Sequence, residues 1–388
     1  MKIPFSKVPL AGNEMKYLKE VLESGWLTSS SKVFSLEKQF AGYIGVKYAC
    51  AVNSCTSALH LAVEALGIEK GDKVMVPSLT FTATAEVIRY MGADPVFTDV
   101  EYGTGLITPE IIEASLEKHR NIKAVIPVHF GGQAAQLLSG EKPGILEVCE
   151  RNGIGVIEDA AHAFPTKIGD RYIGSFGDVS CFSFYANKTI TTGEGGMLVT
   201  NKEHIFERAK TMRLHGIDRD IWQRYTSERP AWEYDVVAPG FKYNMPDVNA
   251  AIGVAQLEKA EYFRGQRQRC AALYYDLLGD LDNIDLPVYR GTMEDHSWHL
   301  FPVVILPQSP VSRNSFIQKM ADSGIGTSVH YKPLHRMSYY RDTYNLSPGE
   351  FPNTEKIWKG VVSLPIYPDL NNEELEYICL AIKRILRK

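Results

Sequence analysis

Short apolar runs alternate with helix-period segments through the first two-thirds of this 388-residue chain, and that alternation restricts the fold more than any other feature. Tyr48–Val52 reads as a strand, and Leu59, Ala62, Val63 and Leu66 then recur at helical spacing before Gly67, a residue suited to closing a helix. Lys73–Val76, Pro95–Thr98, Ala124–Val128, Gly155–Glu158, Val179–Tyr185 and Met197–Thr200 read as further buried strands, with a helix from about Thr82 to Met91. Strands and helices at this interval require a mostly parallel sheet covered on both faces. The pattern changes after a helix spanning 247 to about 263. A smaller α/β unit follows: helix Gln266–Leu278, strand Leu300–Leu306, helix Ser312–Ala321, strand Gly326–Tyr331 and helix Glu373–Leu386. The expected division is therefore a large domain over 1–263 and a small C-terminal one over 264–388, packed closely because no polar linker separates them.

Apolar residues make up 45% of the chain and charged residues 23%, which excludes a disordered polymer. A net charge of -4 with mixed signs offers no footprint for nucleic acid. No apolar stretch approaches the ~18 residues of a membrane span, and the opening MKIPFSKVPLAGNEM has no signal-peptide core. The six cysteines include no CxxC pair, which fits a reducing cytosol rather than a disulfide framework or a zinc site. No GxGxxG, P-loop or HExxH is present, which disfavours a nicotinamide dehydrogenase and a zinc protease.

In open α/β sheets ligands bind beyond the carboxyl ends of the strands, and three such ends carry unusual residues. At the first, the run Asn53-Ser54-Cys55-Thr56-Ser57 leads into a helix, where the hydroxyls of Thr56 and Ser57 either cap the helix or join its N–H groups around a phosphate. At the second, Asp159 closes the strand of GIGVIEDAAHA, where it is either a turn residue or the partner of a cationic ring nitrogen. His162 either lies over the same ring or is structural. At the third, Lys188 sits between the strand VSCFSFYA and the glycine-rich TTGEGGMLVT. A lysine with an ordinary pKa of about 10.4 is neutral in well under about 1% of molecules at pH 7, so a nucleophilic role requires burial or a cationic neighbour. Ser183 can face the same side, and Phe81 either stacks on an aromatic cofactor or belongs to the core.

NSCTSALHLAVEALGI, GDKVMVPSLTFTATAEVI, EDAAHA, GDVSCFSFYANKTITTGEGGMLVT and GFKYNMPDVNAAIGVAQL together resemble the DegT/DnrJ/EryC1/StrS sugar aminotransferases. The resemblance runs from about Phe5 to the end, through VHYKPLH, FPNTEK and VVSLPIYP, and is nearest to the spore-coat polysaccharide and UDP-4-amino-4-deoxyarabinose branch. It implies the fold-type I architecture of pyridoxal-phosphate enzymes, a homodimer, pyridoxal 5′-phosphate as cofactor, and L-glutamate and a nucleotide-linked ketosugar as substrates, with no nucleic acid and no membrane. On this resemblance Lys188 is the lysine that bonds the cofactor and Asp159 partners its ring nitrogen. Phe81 and His162 face the ring, Thr56, Ser57 and Ser183 hold the phosphate, and Asn244 reaches the phosphate of the neighbouring subunit. EDAAHA, where many 3-aminotransferases resemble EDAAQA, leans toward amination at C4 over C3. A deoxysugar dehydratase of the same fold resembles this chain less, because histidine replaces the lysine there. A non-catalytic sensor or regulatory relative would not need Lys188, Asp159 and Thr56 together. Two departures stand out: Cys55 occupies a position that is Gly in many relatives, and Gly132–Gly144 lacks the usual acidic residues and suggests no role.

Overall fold

The computed structural model describes residues 1–10, 12–218 and 234–387. Its centre is a seven-stranded sheet in the order β1-β9-β8-β5-β4-β2-β3. The strands are β1 (Tyr48–Val52), β2 (Lys73–Pro77), β3 (Asp94–Thr98), β4 (Ile122–Val125), β5 (Gly155–Asp159), β8 (Val179–Ser183) and β9 (Gly196–Thr200). Only β9 runs against its neighbours, so the carboxyl ends of β1, β2, β5 and β8 open toward one edge. A two-stranded hairpin, β6 (Lys167–Ile168) and β7 (Arg171–Tyr172), precedes β8.

Successive residues along each strand feed opposite cores, as the period of two requires. Ala49 and Ala51 of β1 pack with Phe40, Phe164, Phe182 and Met197 under the helices Ser31–Ile44 and Asp247–Leu257. Cys50 and Val52 pack with Leu59, Val63, Ile88 and Ile157 under the helices Cys55–Ala65 and Ala83–Tyr90. Gly67, at φ 70°, closes the first of these helices. Its N–H reaches Glu64 O at 2.9 Å and the next N–H, of Ile68, reaches Val63 O at 3.2 Å, so the last carbonyls are satisfied.

A third core lies beneath the antiparallel sheet of β10 (Ile284–Asp285), β11 (Phe301–Ile305) and β12 (Val361–Leu364), where Trp298, Phe316 and Ile378 are buried. Helix Ala260–Leu278 serves both units, giving Phe263 to the first core and Tyr274 to the third.

Several expected boundaries move. The run expected as a strand over Ala124–Val128 pairs regularly only through Val125, because Pro127 has no N–H to give the ladder. The helix expected over 247–263 breaks at Glu258 and Lys259 and restarts at Ala260. Gly326–Tyr331 is not a regular strand. Ser328 meets Ser363 in a single bridge, and the chain then leaves the sheet edge and carries His330 and Tyr331 to the end of the large sheet.

β5 is held at its end by a buried carboxylate. Glu158 is fully enclosed and accepts from the Ser180 hydroxyl at 2.7 Å, the Gly177 N–H at 2.7 Å and His129 Nε2 at 3.1 Å. His129 Nδ1 in turn accepts the Ala135 N–H at 3.0 Å, which fixes the ring proton on Nε2 and gives the Gln133–Gly144 loop a structural role that its composition did not reveal. Burial opposes the charge on Glu158, yet these donors hold its pKa below the ordinary carboxylate range. Replacing Glu158 by Ala strands those donors and should destabilise the fold by about 3–5 kcal/mol, read as a lower midpoint in urea unfolding. An unchanged midpoint would show that the network is dispensable.

Candidate active site

A cavity of about 490 Å³ opens at the carboxyl ends of these strands. Thr56, Phe81, Asp159, His162, Ser183 and Lys188 all line it, so residues spread over more than 130 positions of sequence converge on one space. Their convergence follows from the sheet order, since β1, β2, β5 and β8 point the same way.

Asp159 is held on both sides of its backbone: its N–H donates to Pro127 O at 3.0 Å and its carbonyl accepts from the His129 N–H at 3.1 Å. The carboxylate, buried to 5% exposure, accepts from the Thr84 hydroxyl at 2.8 Å and from the Ala161 N–H at 3.2 Å. Thr84 has one proton and spends it on Asp159, so the Thr80 hydroxyl, 2.7 Å away, donates to Thr84. Burial raises the pKa of Asp159, against the opposing pull of the Thr84 hydroxyl, the Ala161 N–H and the charge of Lys188. A buried carboxylate with spare acceptor capacity facing a cavity fits a cationic ring nitrogen, which would favour its charged form.

Lys188 lies in the turn after β8, its N–H bonded to Tyr185 O at 3.0 Å. Its ammonium group makes no hydrogen bond or ion pair among the described residues, and burial pushes its pKa down to about 8. At pH 8 about half of such amines are neutral, which makes this lysine a nucleophile where a surface lysine is not.

The helix Cys55–Ala65 points its N-terminus at the same cavity. Ser54 caps it by accepting the Ser57 N–H at 3.0 Å. Gly196 of β9 lies against this cap so closely that an added Cβ would stand 2.5 Å from Ser54 C, which explains a glycine in that strand. Thr56 and Ser183 present hydroxyls to the cavity beside the unpaired first-turn N–H groups, a fit for phosphate. Ser57 is turned away: its hydroxyl donates to Asn53 Oδ1 at 2.6 Å and meets Ser54 Oγ at 2.8 Å. Phe81 is 57% exposed at the cavity rim and is therefore not core. Asn244 does not line this cavity. It bridges Val52 through the backbone and donates to Ser29 Oγ at 2.8 Å, on the flank of β1.

Sequence reasoning missed His330 and Tyr331, which close the cavity from the C-terminal unit, and Asn187 and Glu194, which flank Lys188 and the glycine-rich loop. The signal was present in VHYKPLH and TTGEGG but carried no assigned chemistry. All six cysteines are free, no metal-binding cluster occurs among the described residues, and no helix there is long and apolar enough to cross a membrane.

The DegT/DnrJ/EryC1/StrS aminotransferase family matches residues 10–383. The spore coat polysaccharide biosynthesis protein SpsC of Bacillus subtilis is 39% identical over 388 residues, covering 99% of this chain and 97% of that one. Among solved structures, Helicobacter pylori PseC, an aminotransferase involved in the biosynthesis of pseudoaminic acid, superposes with a TM-score of 0.90 at 26% identity, over 100% of this chain and 99% of that one. The PLP-form of Spr1654 from Streptococcus pneumoniae gives a TM-score of 0.87 at 27% identity, over 99% of this chain and 98% of that one.

The lowered pKa of Lys188 makes its reactivity a direct test of the site. In cofactor-free protein, labelling of Lys188 by an amine-selective reagent should rise with pH around a midpoint of about 8, because only the neutral amine reacts. Peptide mass spectrometry reads the site, and a midpoint near that of surface lysines would overturn the assignment.

Proposed function

Since the chain belongs to the DegT/DnrJ/EryC1/StrS aminotransferase family and is a pyridoxal-phosphate-dependent sugar aminotransferase, we propose that it moves the amino group of L-glutamate onto the C4 keto carbon of a nucleotide-linked sugar. The product feeds bacterial-type polysaccharide synthesis, a reading supported by the likeness to SpsC. The enzyme works as a cytoplasmic homodimer with a large unit over 1–263 and a small one over 264–388. The observation that carries the catalytic assignment is Lys188, buried and lowered in pKa, lining one cavity with the buried Asp159.

When bound, the cofactor supplies an electrophilic aldehyde carbon and a ring that takes up the electron pair left as the donor's Cα–H bond breaks. Thr56, Ser183 and the first turn of helix Cys55–Ala65 bind its phosphate. Asp159 holds a proton at its ring nitrogen, while Phe81 and His162 orient the ring. Lys188 would hold the cofactor through its Nζ and, freed from it, would take the proton from the donor Cα at the same atom. Asn244, outside its own cavity, serves the phosphate site of the second subunit.

Incubation with L-glutamate alone should release one equivalent of 2-oxoglutarate per site, and a 4-keto nucleotide sugar should then be aminated. Amination of a 3-keto sugar with 4-keto sugars ignored would overturn the C4 assignment. Asp159→Asn should keep cofactor yet lose turnover by about 10- to 100-fold, the size of one charge-assisted contact. Lys188→Ala and Asn244→Ala dimers should each be defective, and their mixture after verified subunit exchange should regain activity, because one site of each mixed dimer is intact. No recovery would place Asn244 within its own chain's chemistry.

A further inference from the structure

The hydrogen bonds around His162 leave one proton on the cavity wall with a fixed direction and nothing to receive it. The Gly131 N–H donates to His162 Nδ1 at 3.2 Å, and a backbone N–H can only donate, so Nδ1 carries no proton. The ring is buried at 6% exposure among His299, Phe130 and Tyr331, and burial keeps it neutral; its one ring proton is therefore on Nε2. Nε2 lies 3.0 Å from the Tyr331 hydroxyl, which must accept that proton's hydrogen bond. The Tyr331 hydroxyl proton is thereby turned away from His162. No acceptor for it exists among the described residues, and Tyr331 lines the cavity with Lys188 and Asp159.

A neutral phenol aimed into the site is a preorganised donor for an oxygen that carries negative charge in the transition state. Transamination passes through such an oxygen twice: when water adds to the donor-derived carbon and the C–N bond breaks to release the keto acid, and when an amine adds to the keto acceptor's carbonyl and its C=O π electrons move onto oxygen. Burial raises the pKa of Tyr331, so the phenol remains a donor across the working range. His330 Nδ1 is engaged with Ser363 Oγ at 2.8 Å, and among the described residues the Tyr331 hydroxyl is hydrogen-bonded to His162 alone, not to His330 or Lys188.

We propose that Tyr331 is a further catalytic residue, donating a hydrogen bond to the oxygen of the keto substrate or product while that oxygen carries alkoxide charge, with His162 as the positioning residue that orients it. The assignment rests on the aminotransferase reading above and adds a residue to it. It gives the histidine of EDAAHA a function beyond packing on a ring, and it separates two steps that one site must perform. Lys188 handles the proton at Cα, and Tyr331 handles the oxygen.

The test measures both steps in one sample. Glutamate is incubated with holoenzyme in deuterated water, and exchange of its Cα proton is followed beside release of 2-oxoglutarate. In Tyr331→Phe, exchange should match wild type while release falls about 100-fold, the effect of removing one oxyanion donor. Cofactor content read by absorbance should be unchanged. His162→Gln should release product faster than His162→Ala, because the amide oxygen can accept from Gly131 while its N–H donates to Tyr331. In nitrogen-15-labelled cofactor-free protein, the His162 ring shifts should place the proton on Nε2. Exchange and release falling together in Tyr331→Phe, release unchanged there, equal losses in the two His162 variants, or a proton on Nδ1 would each overturn the inference. A wild-type enzyme that exchanges no Cα proton from glutamate overturns the donor reading first, and the inference with it.

Discussion

The buried carboxylate of Glu158 is the interaction on which the site depends. An unpaired charge at 0% exposure would be costly, so the chain around it is arranged as a shell of donors from three separate segments, at His129, at Phe176–Gly177 and at Ser180. That shell fixes the loop after β4, the loop before β8 and the end of β5 relative to one another. Side chains alternate along a strand, so Glu158 turned into this shell leaves its neighbour Asp159 turned to the opposite face, toward the cavity. The placement of one carboxylate thus follows from the burial of the other.

A second buried network does the same for the wall supplied by the C-terminal unit. Ser78, just beyond β2, accepts the His335 N–H at 3.2 Å and pairs with His335 Nδ1 at 2.7 Å. His335 Nε2 reaches Glu355 at 2.7 Å, and Arg336 grips the same carboxylate through two hydrogen bonds. Asp99, beyond β3, accepts from the Asn353 and Thr354 N–H groups at 2.9 and 2.8 Å and so holds the start of helix Pro352–Gly360. The segment bearing His330 and Tyr331 is therefore anchored to the ends of β2 and β3, beside Phe81 and the Thr80–Thr84–Asp159 relay. These bonds join sequence-distant elements without any covalent tie.

Much of the architecture could be read directly from the chain. The strand–helix alternation fixed a mostly parallel sheet, and Asp159, Thr56, Ser183 and Lys188 were recognisable because each stands at the end of an apolar run, where a polar residue has no packing reason to be. Gly67 was legible as a helix stop for the same local reason. The misplaced boundaries have local causes that apolarity conceals: Pro127 ends a strand that its neighbours would continue, and the helix break at Glu258–Lys259 lies within a pattern that stays helical on both sides.

What the sequence by itself determined was which residue types stand at strand ends, since burial patterns and turn chemistry are properties of neighbours along the chain. What only the tertiary structure decided was who meets whom. Ser57 and Thr56 are adjacent and chemically alike, yet one hydroxyl closes on Asn53 and the other faces the cavity, because helix phase turns neighbours about 100° apart. Tyr331 lies 169 positions from His162, and the direction of its proton depends on a backbone N–H at Gly131 that selects the tautomer of the ring between them. Hydrogen-bond direction in a buried site is set by the whole chain of donors and acceptors, and that chain exists only once the strands have brought its members together.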